Sequence, residues 1–287
     1  MKSYLPEFEL TQVTTLQGAL EILDSENISP IAGGTDLMVL LDAGKLRPGK
    51  FLDINSIEAL KHIEEDDQFI YIGALNTFTD IRTNELCQRY FPMMCEAGRW
   101  SGAKAIQNRG TIGGNICNAS PAGDTPPALL CYDAQVELSS TEGIRWIEYS
   151  QFHLDYKKLD KKSNELLTRI KIPKTNLDRF EHYEKVGTRL AQAISKVCFA
   201  GLIEFDQAKT VQKIRLAWGA MGPYVLRSSL TEDFLLGNKL TDEIISGALG
   251  ELNKELSPIG DIRSTAEYRK KVALNLLNHF LHQAKDK

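Results

Sequence analysis

Apolar and polar positions follow two rhythms along this chain, and they divide it into three stretches. Up to residue 57, short apolar runs alternate with amphipathic ones. Thr14-Thr15-Leu16-Gln17 resembles a capping box, and Ala19-Leu20-Glu21-Ile22-Leu23 follows with helical spacing. Ile28-Ser29-Pro30-Ile31-Ala32 suits a short buried strand that ends at Gly33-Gly34. Thr35 or Asp36 is placed to cap a second helix through Leu41, with Gly44 as its stop. Residues 50–54 read as another strand.

From residue 58 the pattern changes. Residues 69–74 read as a strand, Thr77 to Ile81 as a helix start, and 93–104 as a further helix. The segment 110–127 is rich in Gly, Asn, Ser and Pro and reads as a structured loop. Residues 135–138 alternate as a strand does, and 166–172 form another, closed by Pro173. The polar segment 174–182 marks a boundary. It separates a first domain, 1–176 (subdomains about 1–57 and 58–176), from a second, 177–287. In the second, strands are expected near 183–186, 197–205 and 211–218. Ser264-Thr265-Ala266-Glu267 reads as a capping box. Tyr268, Val272, Leu276 and Phe280, with Ala273, Leu277 and Leu281 beside them, then predict a long amphipathic helix. The fold class is α+β.

Length agrees with two units, because one core stops growing at roughly 250–300 residues and the chain has 287. A net charge of -4 with no basic tract gives no reason to expect nucleic acid. No stretch approaches the ~18 apolar residues of a membrane span, and the first residues lack the apolar core of a signal peptide. A cytoplasmic location is expected. Cys87, Cys95, Cys117, Cys131 and Cys198 form no C-x-x-C pair, so they read as free thiols. No metal or iron–sulfur site is expected here, and any cluster must come from another chain. His279 and His282, three apart on the last helix, read as a solvated face.

Candidate chemistry lies in two glycine loops. One is Ala32-Gly33-Gly34-Thr35-Asp36, between a strand and a helix. The other is Arg109-Gly110-Thr111-Ile112-Gly113-Gly114-Asn115-Ile116, which runs on to Asp124. A diphosphate needs several donors aimed at one small volume. Glycine lets successive backbone N–H groups converge, and a helix start adds unsatisfied donors and a favourable dipole. Neither loop carries the lysine of a phosphate-binding ATPase loop, and neither is G-x-G-x-x-G. The combination suits a dinucleotide that is held and not hydrolysed. Two readings of Asp124 stay open, a ligand contact or the N-cap of a helix beginning at Thr125-Pro126-Pro127.

Ala32-Gly33-Gly34-Thr35-Asp36-Leu37 and the run from Thr111 to Asp124 resemble the two FAD-binding motifs of molybdenum hydroxylase flavoproteins. These are the FAD subunits of the xanthine dehydrogenase and carbon monoxide dehydrogenase type. Residues 183–195, 214–219 and 261–269 resemble later signatures of the family, in order along the chain. The resemblance implies a two-subdomain FAD domain of the vanillyl-alcohol-oxidase type, then a C-terminal domain with a small antiparallel sheet and helices. It implies that Ile31 to Leu37 (Ile31, Ala32, Gly33, Gly34, Thr35, Asp36, Leu37), with Gly110, Thr111, Gly114 and Asn115, hold the diphosphate. Ser120 and Asp124 would hold the sugar and ribityl region. Gly102, Cys117 and Leu167 would line the flavin or adenine, and Lys185 would approach the ring. A large molybdopterin subunit would hydroxylate substrate, and an iron–sulfur subunit would pass electrons to this FAD and on to NAD or another acceptor. No residue of this chain is assigned a catalytic role. Two other readings stay open: a self-sufficient flavin oxidoreductase on the same fold, and a nucleotide-binding assembly module.

Overall fold

The computed structural model describes residues 7–174, 177–189 and 192–287. The first stretch runs β1 (Phe8–Gln12), α1 (Leu16–Ser25), β2 (Ser29–Ile31), α2 (Thr35–Asp42) and β3 (Gly49–Asp53). Its three strands form a parallel sheet in the order β1-β3-β2. Parallel neighbours need crossovers, and the two helices supply them. Helix α1 is capped by Thr15, whose hydroxyl accepts from the Gly18 amide at 3.2 Å. The capping box expected on Thr14 and Gln17 is therefore displaced by one residue, and the Gln17 side chain bonds Glu21 instead. Ala19, Leu20 and Leu23 bury against Leu52 and Ile54.

The middle stretch opens with β4 (Ile63–Glu65) and β5 (Phe69–Gly73). Six short helices follow: α3 (Phe78–Thr83), α4 (Glu85–Tyr90), α5 (Pro92–Trp100), α6 (Lys104–Gln107), α7 (Ile112–Cys117) and α8 (Pro126–Cys131). It closes with β6 (Gln135–Ser140), β7 (Gly143–Glu148), α9 (Tyr149–Phe152), the hairpin β8 (His153–Asp155) and β9 (Lys158–Leu159), and β10 (Leu166–Pro173). The main sheet is antiparallel in the order β4-β5-β10-β6-β7. Side chains alternate across it. Ile70, Ile72, Val136, Leu138, Ile170 and Ile172 share a core with Met94, Ile116 and Leu129 of the helices. The opposite face carries Tyr71, with the Arg169 guanidinium 5.0 Å from its ring centroid.

Two expectations fail in this stretch. The single helix over 93–104 is α5 alone, ending at Trp100 and preceded by the separate α4. The segment 110–127 is not all loop, because α7 lies inside it. Two adjacent glycines count against a helix, yet the Thr111 cap and packing against the sheet override that preference.

The last stretch is β11 (Phe180–Val186), β12 (Val197–Phe205), β13 (Val211–Gly219), β14 (Leu226–Arg227), α10 (Ser229–Leu235), α11 (Asp242–Glu255) and α12 (Ala266–Lys285). Its antiparallel sheet runs β11-β12-β13-β14. Phe199 packs between Trp218, at 4.5 Å between ring centroids, and Phe280 of α12, at 5.4 Å. Thr265, not Ser264, caps α12 by accepting from the Tyr268 amide. The buried stripe of α12 is Ala273, Leu277, Phe280, Leu281 and Ala284. Tyr268, expected on that stripe, is exposed. Asp133, between α8 and β6, joins the last two stretches. It pairs with Arg215 at 2.8 Å, Arg227 at 3.2 Å and Lys213 at 3.3 Å.

Candidate functional site

The two glycine loops touch. A Cβ built on Gly33 would lie 1.8 Å from the Arg109 carbonyl oxygen and 3.2 Å from the Gly110 Cα. Only a residue without a side chain permits that approach. The Arg109 Nε also donates to the Gly33 carbonyl at 3.3 Å. Cavities of about 870 and 340 Å³ flank the contact, and Gly33, Asp53, Asn55 and Arg109 line both.

The first loop is built to donate. Ile31 ends β2, and Gly34 takes the N-cap position of α2 with φ +73. Neither Thr35 nor Asp36 caps the helix. Both lie inside its first turn, and no side chain caps it. The first inward bond of the turn runs from the Met38 amide to the Gly34 carbonyl at 2.9 Å. Among the described residues, the amides of Gly33, Gly34, Thr35, Asp36 and Leu37 have no protein acceptor. Five successive N–H groups at a helix start make an anion cradle.

The second loop is tied inward, to itself and to the segment after β5. The Gly110 amide bonds the Ile106 carbonyl, Ile112 bonds Asn76 O at 2.9 Å, and Gly113 bonds Ala74 O at 2.9 Å. The Gly114 amide goes to the Thr111 hydroxyl at 3.1 Å. Of the donors expected from this loop, the amides of Gly110, Gly114 and Asn115 are thus engaged within the protein, and that of Thr111 has no protein acceptor among the described residues. What it offers is a close-fitting wall and the Thr111 and Asn115 side chains. The Asn115 Oδ1 accepts from the Thr125 hydroxyl at 2.6 Å, which ties α7 to the start of α8.

The other expected residues form two groups. Gly102, Asp124 and Lys185 gather where the middle and last stretches meet. Lys185 Nζ donates to Asp124 Oδ2 at 2.8 Å and to the Trp100 carbonyl at 3.0 Å. Ser195 donates to Asp124 Oδ1 at 2.9 Å. Burial pushes the Asp124 carboxyl upward, against the pull of Lys185, Ser195 and Ser101. Of the two readings of Asp124, the N-cap is not what the structure shows. Thr125 holds that position without a side-chain bond, and the carboxylate is committed to Lys185 and Ser195. Lys185 is buried, not solvated. Gly102, at φ +69, makes the turn just after Ser101.

Cys117 and Leu167 belong to the core between the middle sheet and its helices, and neither lines the two cavities. Leu167 is buried on β10, against which α7 packs. Burial pushes the Cys117 thiol up to about 11, so it is a neutral apolar group. Ser120 follows α7, and its hydroxyl accepts from the Ala122 amide at 3.3 Å.

Sequence reasoning missed Arg109 and Ser195. Arg109 adjoins Gly110, so its place beside the loop was readable.

A cradle of unpaired amides, sealed by a second glycine loop, defines a dinucleotide-binding protein of the two-subdomain type. Residues 6–175 match the family model of the FAD binding domain in molybdopterin dehydrogenase, and residues 181–284 match that of the CO dehydrogenase flavoprotein C-terminal domain. The chain belongs to this family, and FAD is its cofactor. It is similar to the glyceraldehyde dehydrogenase medium chain of Sulfolobus acidocaldarius, with 32% identity over 94% of this chain and 95% of the other. It is similar to the xanthine dehydrogenase FAD-binding subunit of Escherichia coli O157:H7, with 27% identity over 90% and 89%. Its structure superposes on a chain of carbon monoxide dehydrogenase from Hydrogenophaga pseudoflava with TM-score 0.93 and 26% identity, covering 98% of each. The fold class expected from sequence is thereby confirmed: a two-subdomain FAD domain followed by a smaller α+β domain. The chain is an FAD-binding oxidoreductase subunit of the molybdenum hydroxylase family. No helix among the described residues is long and apolar enough to cross a membrane.

Proposed function

We propose that this chain is the electron-exit subunit of a three-part hydroxylase. A large molybdopterin subunit oxidises substrate, and an iron–sulfur subunit delivers the electrons to FAD on this chain. NAD, or another acceptor, takes them away. When bound, flavin exchanges electrons singly with metal clusters and in pairs with such acceptors. The observation that carries the reading is the row of open amides from Gly33 to Leu37 against the second loop.

This chain's residues would bind and orient. The amides of 33–37 would take the diphosphate, with Thr111 and Asn115 closing the far wall. Asp124 and Lys185 would form one end of the cleft, where Asp124 fixes the ammonium at a set place. Breaking such a buried pair costs about 3–5 kcal/mol, so Lys185 is a rigid cation. The FAD domain would occupy residues 1–176 and the C-terminal domain 177–287. The five free thiols fit a reducing compartment, and we place the complex in the cytoplasm.

The test is native purification of the chain from its own source. The expected result is a flavin spectrum and two further chains, one carrying molybdenum and one carrying iron and sulfide. Adding NAD to the reduced complex should restore the oxidised flavin band if NAD is the acceptor. A colourless chain that takes up no FAD, or a flavoprotein purified alone and metal-free with full turnover, would overturn the reading.

A further inference from the structure

The open amides of the cradle are aimed by two different devices. Those of Thr35, Asp36 and Leu37 belong to the first turn of α2, so the helix fixes their direction. Those of Gly33 and Gly34 lie before the first turn. The peptide units 32–33 and 33–34 each adjoin a glycine, which accepts almost any backbone angle, so each is free to turn over unless something holds it. A turned unit would present a carbonyl oxygen where the cradle needs a proton.

Both units are held by their carbonyls. A planar trans peptide sets its C=O and N–H on opposite sides, and no peptide bond among the described residues is cis. Fixing the oxygen therefore fixes the proton. The Ile54 amide bonds the Ile31 carbonyl at 3.1 Å, where β2 and β3 end. Asn55 continues that edge with its side chain, and Nδ2 donates to the Ala32 carbonyl at 2.8 Å. Asp53 holds the side chain in turn. Its Oδ1 accepts from Asn55 Nδ2 at 2.7 Å and from the Asn55 amide at 3.0 Å. The Gly33 carbonyl takes its donor from the second loop, Arg109 Nε at 3.3 Å. Arg109 stands on a fixed base, because its own amide bonds the Ile106 carbonyl at 3.1 Å. Asn55 and Arg109 both line the two cavities beside the loop contact.

We propose that Asn55 and Arg109 are positioning residues: they grip the Ala32 and Gly33 carbonyls from behind and so keep the Gly33 and Gly34 amides turned toward the FAD diphosphate. This rests on the proposed use of the 33–37 cradle for FAD. Arg109 acts here as a hydrogen-bond donor and not as a counter-charge, since its Nε meets the peptide on the side away from the Gly34 proton.

The test uses the full chain stripped of flavin. Binding of FAD, ADP and adenosine is measured by calorimetry at low and high salt for wild type, Asn55→Leu, Arg109→Met and Arg109→Gln. The Gly33 and Gly34 amide protons are followed by NMR of isotopically labelled protein as ADP is added. Asn55→Leu and Arg109→Met each remove one grip and are expected to weaken FAD and ADP about tenfold, the worth of one amide bond to an anion. Adenosine, which has no phosphate, should bind unchanged. Arg109→Gln keeps a donor for the Gly33 carbonyl without the charge, and should retain most of the affinity at either salt. In wild type both glycine protons should shift as ADP binds. The Gly33 proton should stay put in Asn55→Leu, and the Gly34 proton in Arg109→Met. A loss in Arg109→Gln as large as in Arg109→Met, closing as salt rises, would make Arg109 a direct cation for the phosphate and overturn the proposal. So would adenosine weakened as much as ADP, or unchanged FAD affinity in Asn55→Leu and Arg109→Met. Wild-type protons of Thr35 and Asp36 that shift with ADP while those of Gly33 and Gly34 do not would overturn it without any variant. A wild-type chain that binds neither FAD nor ADP would instead sink the use of the cradle itself.

Discussion

At Gly33-Gly34 the chain turns outward and leaves five successive amides without acceptors. At Gly113-Gly114 it turns inward, and the amides go to Ala74 and to Thr111. Gly33-Gly34 lies between β2 and α2, Gly113-Gly114 lies in the first turn of α7, and both are the same dipeptide. Their glycines answer different needs. Gly33 lets one loop touch another. Gly34 takes a left-handed angle that starts a helix without a side-chain cap. Gly113 lets α7 press on the sheet, since a Cβ there would lie 2.7 Å from the Ala74 Cβ. A glycine pair is therefore a binding site only where the amides beside it are left unpaired.

The largest expected effect breaks the contact between the loops. Gly33→Ala drives a methyl into the Arg109 carbonyl, a backbone group that cannot rotate away. The cleft must open, and FAD affinity should fall about 100-fold or more, near 3 kcal/mol. The ratio of flavin to protein absorbance in the purified chain reads this directly. A fully flavinated Gly33→Ala protein would show that the contact is not needed for binding.

Next comes Gly113→Ala, where overpacking of this kind costs about 1–3 kcal/mol. Here the loss should appear in the urea midpoint of the flavin-free chain. FAD affinity, measured where the protein is still folded, should move less than about threefold. The two variants separate further when FAD is added. At 100 times its Kd a ligand stabilises the folded state by about 2.7 kcal/mol. Gly113→Ala should keep that increment at its own saturating FAD, and Gly33→Ala should lose it at the wild-type FAD concentration. If Gly113→Ala instead loses flavin at unchanged stability, the second loop binds through its amides after all.

How far this contrast could be read in advance differs by residue. Both loops, the strands around them and the C-terminal helix follow from local pattern, because period and turn chemistry act within a few residues. The state of the amides does not. Ala74 and Asn76 lie more than 35 residues before Gly113, so nothing local shows that they will accept its loop's protons. The same distance hides the pairing of Asp124 with Lys185, which sit 61 positions apart. Helix α7 was hidden for another reason. Its glycines speak against a helix, and only the Thr111 cap and packing on Ala74 make one. The caps of α1 and α12 shifted by one residue because adjacent threonine and serine hydroxyls compete, and geometry selects between them.

The smallest expected effect concerns the two threonines, Thr35 and Thr111, that flank these turns. Thr111 caps α7 by accepting from the Gly114 amide. Losing such a cap costs about 1 kcal/mol, so Thr111→Ala should lower the stability of the flavin-free chain by that much. Thr35 caps nothing, because Gly34 already holds the cap position. Thr35→Ala should leave flavin-free stability within about 0.5 kcal/mol of wild type. In the presence of FAD the order should reverse, since Thr35 stands among the open amides while the Thr111 hydroxyl already serves its own helix. A chemical denaturation series with and without FAD measures all four values. Equal losses in the two variants under both conditions would mean that the threonines, at least, do not divide structural work from ligand work as the amides do.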